Sequence, residues 1–408
     1  MTIPRPLATR PPLGRAASRR PLWRRVLSRR VLSRRADAHM ARRSAAASLD
    51  WWVTIPAAVL CGIGLLLVWS ATRNEPDSSL LTRQALSVGL GLALMWLVSR
   101  RDPRVLRAYV PVLYLIALAG LVAVLTPLGR TVNGSHAWIF LGSGLQFQPS
   151  EFAKIALILA LAAALGELRE GERRPGRGAV LLALALAGLP IGLIMFQPDY
   201  GTILVFAAIS AGMILVSGAP KRWLAGLAAA GGLAVLLVWL LDLVQPYQIQ
   251  RLMVLTDPDA DPMGLGYNAT QARIAVGSGG LLGKGLFQGE QTAGHFVPEQ
   301  HTDFIFTVAG EELGFLGCAF IVLLMLFLLW RGLLIAARSA TPYGTVLAGG
   351  VVCWLAFQTF VNVGMTIGLL PITGLPLPFV SYGGSATIST LTAVGFLSTV
   401  RRRTALPG

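Results

Sequence analysis

The stretch "DFIFTVAGEELGFLGCAFIVLLMLFLLW", residues 303–330, runs almost without interruption through apolar side chains once past Glu312. At about 1.5 Å per helical residue it outruns a hydrocarbon layer of about 30 Å, which about 20 residues cross. Unbroken hydrophobicity of that length predicts a membrane-spanning helix. Its opening turns nevertheless carry Asp303, Glu311 and Glu312. Carboxylates at membrane depth cost about 2.5–3.5 kcal/mol on insertion scales and normally face the bundle interior with a partner.

Similar runs recur at 51–71, 80–98, 108–126, 152–166, 178–196, 200–217, 222–243, 343–369 and 380–400. The chain is 54% hydrophobic and 13% charged, where a soluble domain is about 25% charged. The fold class expected is an all-α integral membrane protein of about ten transmembrane helices, with a long extracytoplasmic loop, 244–302, between helices 7 and 8. The net charge of +16 invites a nucleic-acid reading, but its distribution argues otherwise. An even number of spans puts both termini on one side. The terminal segments and the even-numbered connections hold 28 of the 35 basic residues. Cytoplasmic segments collect Lys and Arg, so both termini are assigned to the cytoplasm and the basicity records topology.

Residues 1–50 form an Arg-rich arm containing "RRVLSRRVLSRR"; it lacks the residues for a core and is expected to be disordered. It either lies on anionic lipid or precedes a true start at Met40, in "MARRSAAASLDWW". Residues 51–400 make the membrane domain, and 401–408 a basic tail. Cys61, Cys318 and Cys353 fall inside apolar runs and are read as packing residues.

Polar residues gather at the outer ends of the helices. In "QPSEFAK", 148–154, Pro149 suits the first helical position and Glu151 the first turn, with Lys154 on the same face. That is an N-terminal cap with an ion pair, or part of a site, because a lysine at the head of a lipid-bathed helix usually marks one. In "FQPDYGT", 196–202, Asp199 either caps the next helix or faces a cavity. Arg83 opens the second span as a snorkelling anchor or a ligand. Asp303 is placed in the first turn of the eighth span, where a capping role is also open. Glu311 and Glu312 are read as structural, bonded to neighbouring helices. "YNATQARIAVG", 267–277, is read as an interfacial helix turning Ala269, Ile274 and Ala275 to lipid. In "NVGMTIGLLPITGLPLPFVSYGGSATIST", 362–390, prolines and glycines interrupt two apolar runs, and irregular backbone at that depth has to line a cavity or lie inside protein. The outcome is an outward cavity with carboxylates, a lysine and arginines, suited to a polar, anionic substrate on a lipid tail. An enzyme and a transporter both fit.

The chain resembles the SEDS family (shape, elongation, division and sporulation) in "GSHAWIFLGSGLQFQPSEFAK", "QPDYGT", "QARIAVGSGGLLGKG", "PEQHTDFIFTVAGEELGFLG" and "GLLPITGLPLPFVSYGGS". These occur in the family's order across residues 51–400. "GSGGLLGKGLFQGEQT" and "NVGMTIGLLP" resemble the elongation member more than the division member. Tyr200 stands where Leu or Phe is more usual. The resemblance implies a glycan-strand polymerase that uses lipid II at the outer face of the bacterial inner membrane, in cell elongation and shape. A lipid II flippase and a division-type polymerase are the alternatives. It further implies that Asp303 matches the family's essential carboxylate and is the candidate general base, with Glu151, Lys154, Asp199 and Arg83 as supporting cavity residues. Arg251, Arg273, Lys284 and His301 are the candidates for substrate binding. A divalent cation such as Mg2+ or Mn2+ would assist, and the implied partner is a class B penicillin-binding protein.

Overall fold

A helix lies at each of the ten predicted segments. The computed structural model describes residues 49–74, 79–132, 134–140, 146–167, 174–241, 251, 253, 254 and 264–404. The chain divides into two units, residues 1–47 and 48–408, and all the described residues belong to the second. The Arg-rich arm up to residue 48, the end of the tail, and 242–250, 252 and 255–263 of the long loop lie outside them. The helices are α1 (Trp51–Thr72), α2 (Ser79–Ser99), α3 (Pro103–Val124), α4 (Pro149–Leu165), α5 (Arg177–Met195), α6 (Tyr200–Val216) and α7 (Arg222–Leu240). Two loop helices follow, α8 (Leu265–Ser278) and α9 (Glu290–Ala293), and then α10 (Ile305–Ala337), α11 (Pro342–Thr366) and α12 (Gly384–Thr404). Among the described residues six of these, α1, α2, α3, α5, α10 and α11, are long and apolar enough to cross a bilayer.

Helix α4 falls short of that length. It is only 17 residues long and almost wholly buried, its Ala-rich face letting α3, α5, α6, α11 and α12 pack around it. Helix α12 is rich in Ser and Thr, and it survives in an apolar bundle because its hydroxyls bond back to its own carbonyls. Thr390 Oγ1 donates to Ala386 O and Thr392 Oγ1 to Ile388 O, which satisfies groups that lipid could not. Asp50 ties three helix ends together. It caps α1 through Trp52 N at 3.1 Å and pairs with Arg331 of α10 and Arg401 of α12 at 3.1 and 3.0 Å.

Helix α10 is broken at Gly314, whose φ of +67° and ψ of −167° are not helical. The loop 280–285 enters the gap. Lys284 N and Gly285 N donate to Glu311 O and Glu312 O at 3.0 and 3.1 Å, and Phe315 N and Leu316 N donate to Gly280 O and Leu281 O at 2.9 and 3.1 Å. Four backbone groups at this break are thereby re-paired, as irregular chain at membrane depth requires. Only glycine fits, because a Cβ on Gly314 would lie 2.2 Å from Gly283 N.

Two loop features differ from expectation. The 127–150 loop holds a three-stranded antiparallel sheet, β1 (Gly129–Val132), β2 (Ser135–Phe140) and β3 (Gln146–Phe147), in the order β1-β2-β3. Helix α8 forms where an interfacial helix was expected, but Ala269 and Ala275 are buried and Ile274 alone of the three is exposed. With Ala272, Ala275 packs in a small core with Val297 and Phe304. Small side chains here admit close packing against protein rather than contact with lipid.

Candidate active site

At the end of the bundle where α2, α4, α6, α10 and α12 begin, a cavity of about 1110 Å³ opens, with Arg83, Glu151, Asp199, Arg251, His301 and Asp303 in its lining. Six residues drawn from five separated segments thus meet. The loop 371–376 and the β-sheet supply further wall.

Glu151 lies in the cavity floor, with Lys154 buried behind it. Lys154 Nζ lies 2.6 Å from Glu151 Oε1, 3.3 Å from Gln358 Oε1 and 4.9 Å from the centre of the Trp354 ring. Ser389 Oγ donates to the other Glu151 oxygen at 3.1 Å. Lys154 is fully buried and does not line the cavity, so its charge acts through Glu151 rather than on a ligand. Asp199 does cap α6, accepting from Thr202 N at 3.0 Å and Thr202 Oγ1 at 2.7 Å, while Gln148 Nε2 reaches its Oδ2 at 3.4 Å. The same carboxylate also lines the cavity, so the two readings of Asp199 coexist. Burial raises its pKa against the lowering effect of the Thr202 bonds.

Asp303 stands outside α10 rather than in its first turn. The helix starts at Ile305 with Phe304 at the cap position and no side-chain capping bond, so the capping account of Asp303 is withdrawn. A turn whose amides at 302, 303 and 304 all point to Glu299 O presents it. Its backbone oxygen accepts from Asn362 Nδ2 at 2.7 Å, and its Oδ2 would sit 3.4 Å from a Cβ on Gly374. Burial in the cavity wall, and then repulsion from Glu299 and Asp199, push its pKa up to about 7 against the opposing pull of Arg251. His301 accepts at its carbonyl from Tyr382 N at 2.9 Å and meets the Tyr382 ring edge-on at 5.5 Å.

Two sequence candidates lie elsewhere. Lys284 pairs with Glu311 at 3.1 Å and Glu290 at 3.4 Å, and Arg273 packs its guanidinium beside Gly368; neither lines the cavity. Glu311 accepts from Gln291 N, Thr292 N and Thr292 Oγ1 at 2.9, 2.8 and 2.9 Å. That is a clamp on the start of α9. Glu312 takes a short bond from Ser70 Oγ of α1. Glu311 thus anchors the loop, and Glu312 bonds a neighbouring helix. Sequence reading passed over Gln358 and Asn362, fully buried amides on α11; their signal was two polar residues four apart in an apolar run. Among the described residues no group of three or more His, Cys, Asp or Glu side chains is arranged to hold a metal.

The cell cycle protein profile built on FtsW, RodA and SpoVE matches residues 50–406. The chain belongs to the FtsW/RodA/SpoVE family, the SEDS family. Within it, the chain is 40% identical over 335 residues to the peptidoglycan glycosyltransferase MrdB of Escherichia coli K12, covering 82% of this chain and 88% of that protein. It is 38% identical to stage V sporulation protein E of Bacillus subtilis, over 87% of this chain and 97% of that one. A solved chain from a peptidoglycan synthase complex that coordinates polymerization and crosslinking superposes with a TM-score of 0.75 at 34% identity, covering 88% of this chain and 99% of that one. The Thermus thermophilus rod shape determining protein RodA superposes with a TM-score of 0.65 at 33% identity, over 88% and 98% of the two chains. This SEDS chain is a multi-pass membrane protein.

Proposed function

We propose that Asp303 is the general base of a glycan-strand polymerase that consumes lipid II at this cavity. The chain is a peptidoglycan glycosyltransferase of the RodA type, in keeping with its family. The observation that carries the residue assignment is the meeting of Asp303 with Asp199, Arg83, Arg251 and His301 in one cavity. A sugar 4-hydroxyl is a poor nucleophile until its proton is accepted during attack. A carboxylate whose pKa is raised to about 7 is a stronger base than an ordinary one and still ionises near neutrality. The bond between the donor's anomeric carbon and the diphosphate oxygen breaks as the bond to the acceptor oxygen forms. The proton moves to Asp303, and the electron pair leaves with the lipid diphosphate. Arg83 and Arg251 supply positive charge for that leaving group. A single displacement inverts the anomeric centre and leaves no covalent glycosyl-enzyme; the activated leaving group sets this apart from a two-carboxylate glycosidase.

Asp199, whose carboxylate lines the cavity, is a hard oxygen donor that would hold a divalent cation there. Mg2+ or Mn2+ bound there would neutralise phosphate charge. Glu151, fixed by Lys154, orients the floor. The Arg distribution supports placement in the bacterial inner membrane with both termini cytoplasmic, and the likeness to a polymerising and crosslinking synthase complex supports a class B penicillin-binding protein as partner. The function served is cell elongation and shape.

The test is polymerisation of labelled lipid II by the purified protein in detergent, where sidedness is lost and a flippase has nothing to do. Asp303→Ala and Asp303→Asn are expected to make no glycan strands while remaining folded. Parental rates from either variant sink the base assignment, and absence of polymer from the parental protein with its partner favours transport.

A further inference from the structure

Helix α11 carries Trp354, Gln358, Asn362 and Thr366 at four-residue spacing, hence on one face. All four are completely buried. The two amides reach the same cavity loop: Gln358 Nε2 donates to Pro376 O at 2.8 Å and Asn362 Nδ2 to Leu375 O at 2.7 Å. Each also holds one of the cavity's acidic positions. Asn362 Nδ2 donates to the backbone oxygen of Asp303 at 2.7 Å. Gln358 Oε1 accepts from Lys154, the partner of Glu151, at 3.3 Å and from Trp354 Nε1 at 2.7 Å. Three pieces of the cavity are thus pinned to one stripe of one helix: the turn bearing Asp303, the loop 371–376 and the floor pair.

A purely stabilising role explains this poorly. The other amide atom of Asn362, Oδ1, is buried and finds no hydrogen-bond donor among the described residues. A leucine or methionine would fill the space without stranding a polar atom. What an apolar residue lacks is a donor aimed between two carbonyls of segments distant in sequence.

We infer that Asn362 is a positioning residue, fixing the Asp303 turn against the loop 371–376 so that the base keeps one orientation toward the acceptor sugar. Gln358 does the same for the Glu151–Lys154 floor. This rests on the reading of Asp303 as the base, and goes beyond it by naming what holds that base in place. The groups acting on the Asp303 carboxylate are Glu299 from its own turn, Asp199 from the turn before α6 and Arg251 from the long loop. Arg83, Glu151 and His301 share its cavity. None of these is altered by substitution at 362.

The experiment compares the purified full-length parent with Asn362→Ala and Asn362→Ser, measuring kcat, KM for lipid II and the pH profile in detergent. With the donor gone the turn relaxes. The expected result for Asn362→Ala is a kcat lower by about 10- to 100-fold, since misplacement by an ångström costs on that order, with KM within about twofold. The acid limb of the profile should also move down by about half a pH unit or more, as the freed carboxylate takes on water. Asn362→Ser, which retains one donor, should fall between. A parental kcat overturns the inference. So does a uniform drop in amplitude with the limb unmoved, the mark of a smaller folded fraction; if the alanine variant does not fold, the serine variant is judged on the same criteria. Asp303→Asn is run alongside. If it is active, the base reading fails and takes this inference with it; if it is inactive while Asn362→Ala is parental in every respect, the positioning claim alone fails.

Discussion

Replacing Lys154 by methionine keeps much of the side-chain volume and removes one charge from a fully buried pair. The partners lie 2.6 Å apart, so at an effective dielectric of about 20 their gross attraction is roughly 6 kcal/mol. Desolvation of two ions offsets most of that. The pair as a whole therefore contributes little, and the consequence of breaking it is different. Glu151 keeps the Ser389 bond but is left as a buried anion with no cation, and Gln358 loses one of two donors on its oxygen. Lys154→Met should lower unfolding free energy by about 3–5 kcal/mol, the usual penalty for removing one member of a buried pair. Adding Glu151→Gln removes the stranded charge, so the double variant should be more stable than Lys154→Met alone, with a coupling of about 2 kcal/mol. Thermal or denaturant unfolding in one detergent, for the parent, both single variants and the double, gives the cycle. Additive losses would refute the argument, for they would mean that the two side chains do not compensate each other. Activity provides a second readout: the double variant should fold yet polymerise poorly, because the floor of the cavity has lost its charge.

If Asp303 is the base, polymerisation should rise with pH and reach half its plateau near the carboxyl's value of about 7; a profile flat between pH 5 and 8 would exclude it. Because that folded-state value lies above the unfolded one, the folded protein holds the proton more tightly and ionisation disfavours folding as pH rises from about 4 toward 7. Asp303→Asn should therefore raise the melting temperature at pH 8, by a margin that shrinks as pH falls toward 5. Gly314→Ala places a Cβ 2.2 Å from Gly283 N at a φ of +67°; it should cost upwards of about 3 kcal/mol through strain and displaced backbone, seen as loss of a monodisperse gel-filtration peak. Glu311→Gln exchanges a buried anion for a neutral amide in front of the amides of Gln291 and Thr292. It should weaken the loop by roughly 2–4 kcal/mol, since bonds to charged groups are worth about 1.5–3 each, and speed amide exchange across 284–293 with little change elsewhere.

Much of the architecture is legible in the chain because a bilayer imposes a local rule: a segment of sufficient apolar length becomes a helix. Pro149 and Glu151 open α4 as the residue types demand, and Asp199 before "YGT" caps α6. The charged residues of the cavity were also visible, because charge beside an apolar run is conspicuous wherever it falls. What each one touches was not. Lys154 reads as a possible cavity residue until Trp354 and Gln358, some two hundred positions on, hold it outside the lining. Lys284 reads the same way until Glu311 claims it. The 127–150 sheet is hard to read locally because its strands have at most six residues, although Trp138, Ile139 and Phe140 favour β structure.

By itself the sequence determined that this protein lives in a membrane as helices, and which few polar residues merit attention. Each of these follows from the transfer free energy of a short segment and needs no knowledge of its neighbours. Only the tertiary structure decided that Arg83, Glu151, Asp199, Arg251, His301 and Asp303 share one cavity, that Asp303 stands free of its helix, and that Gln358 and Asn362 hold the walls together. The reason is physical: proximity between residues far apart in the chain depends on how all the helices pack at once, and no local segment carries that information.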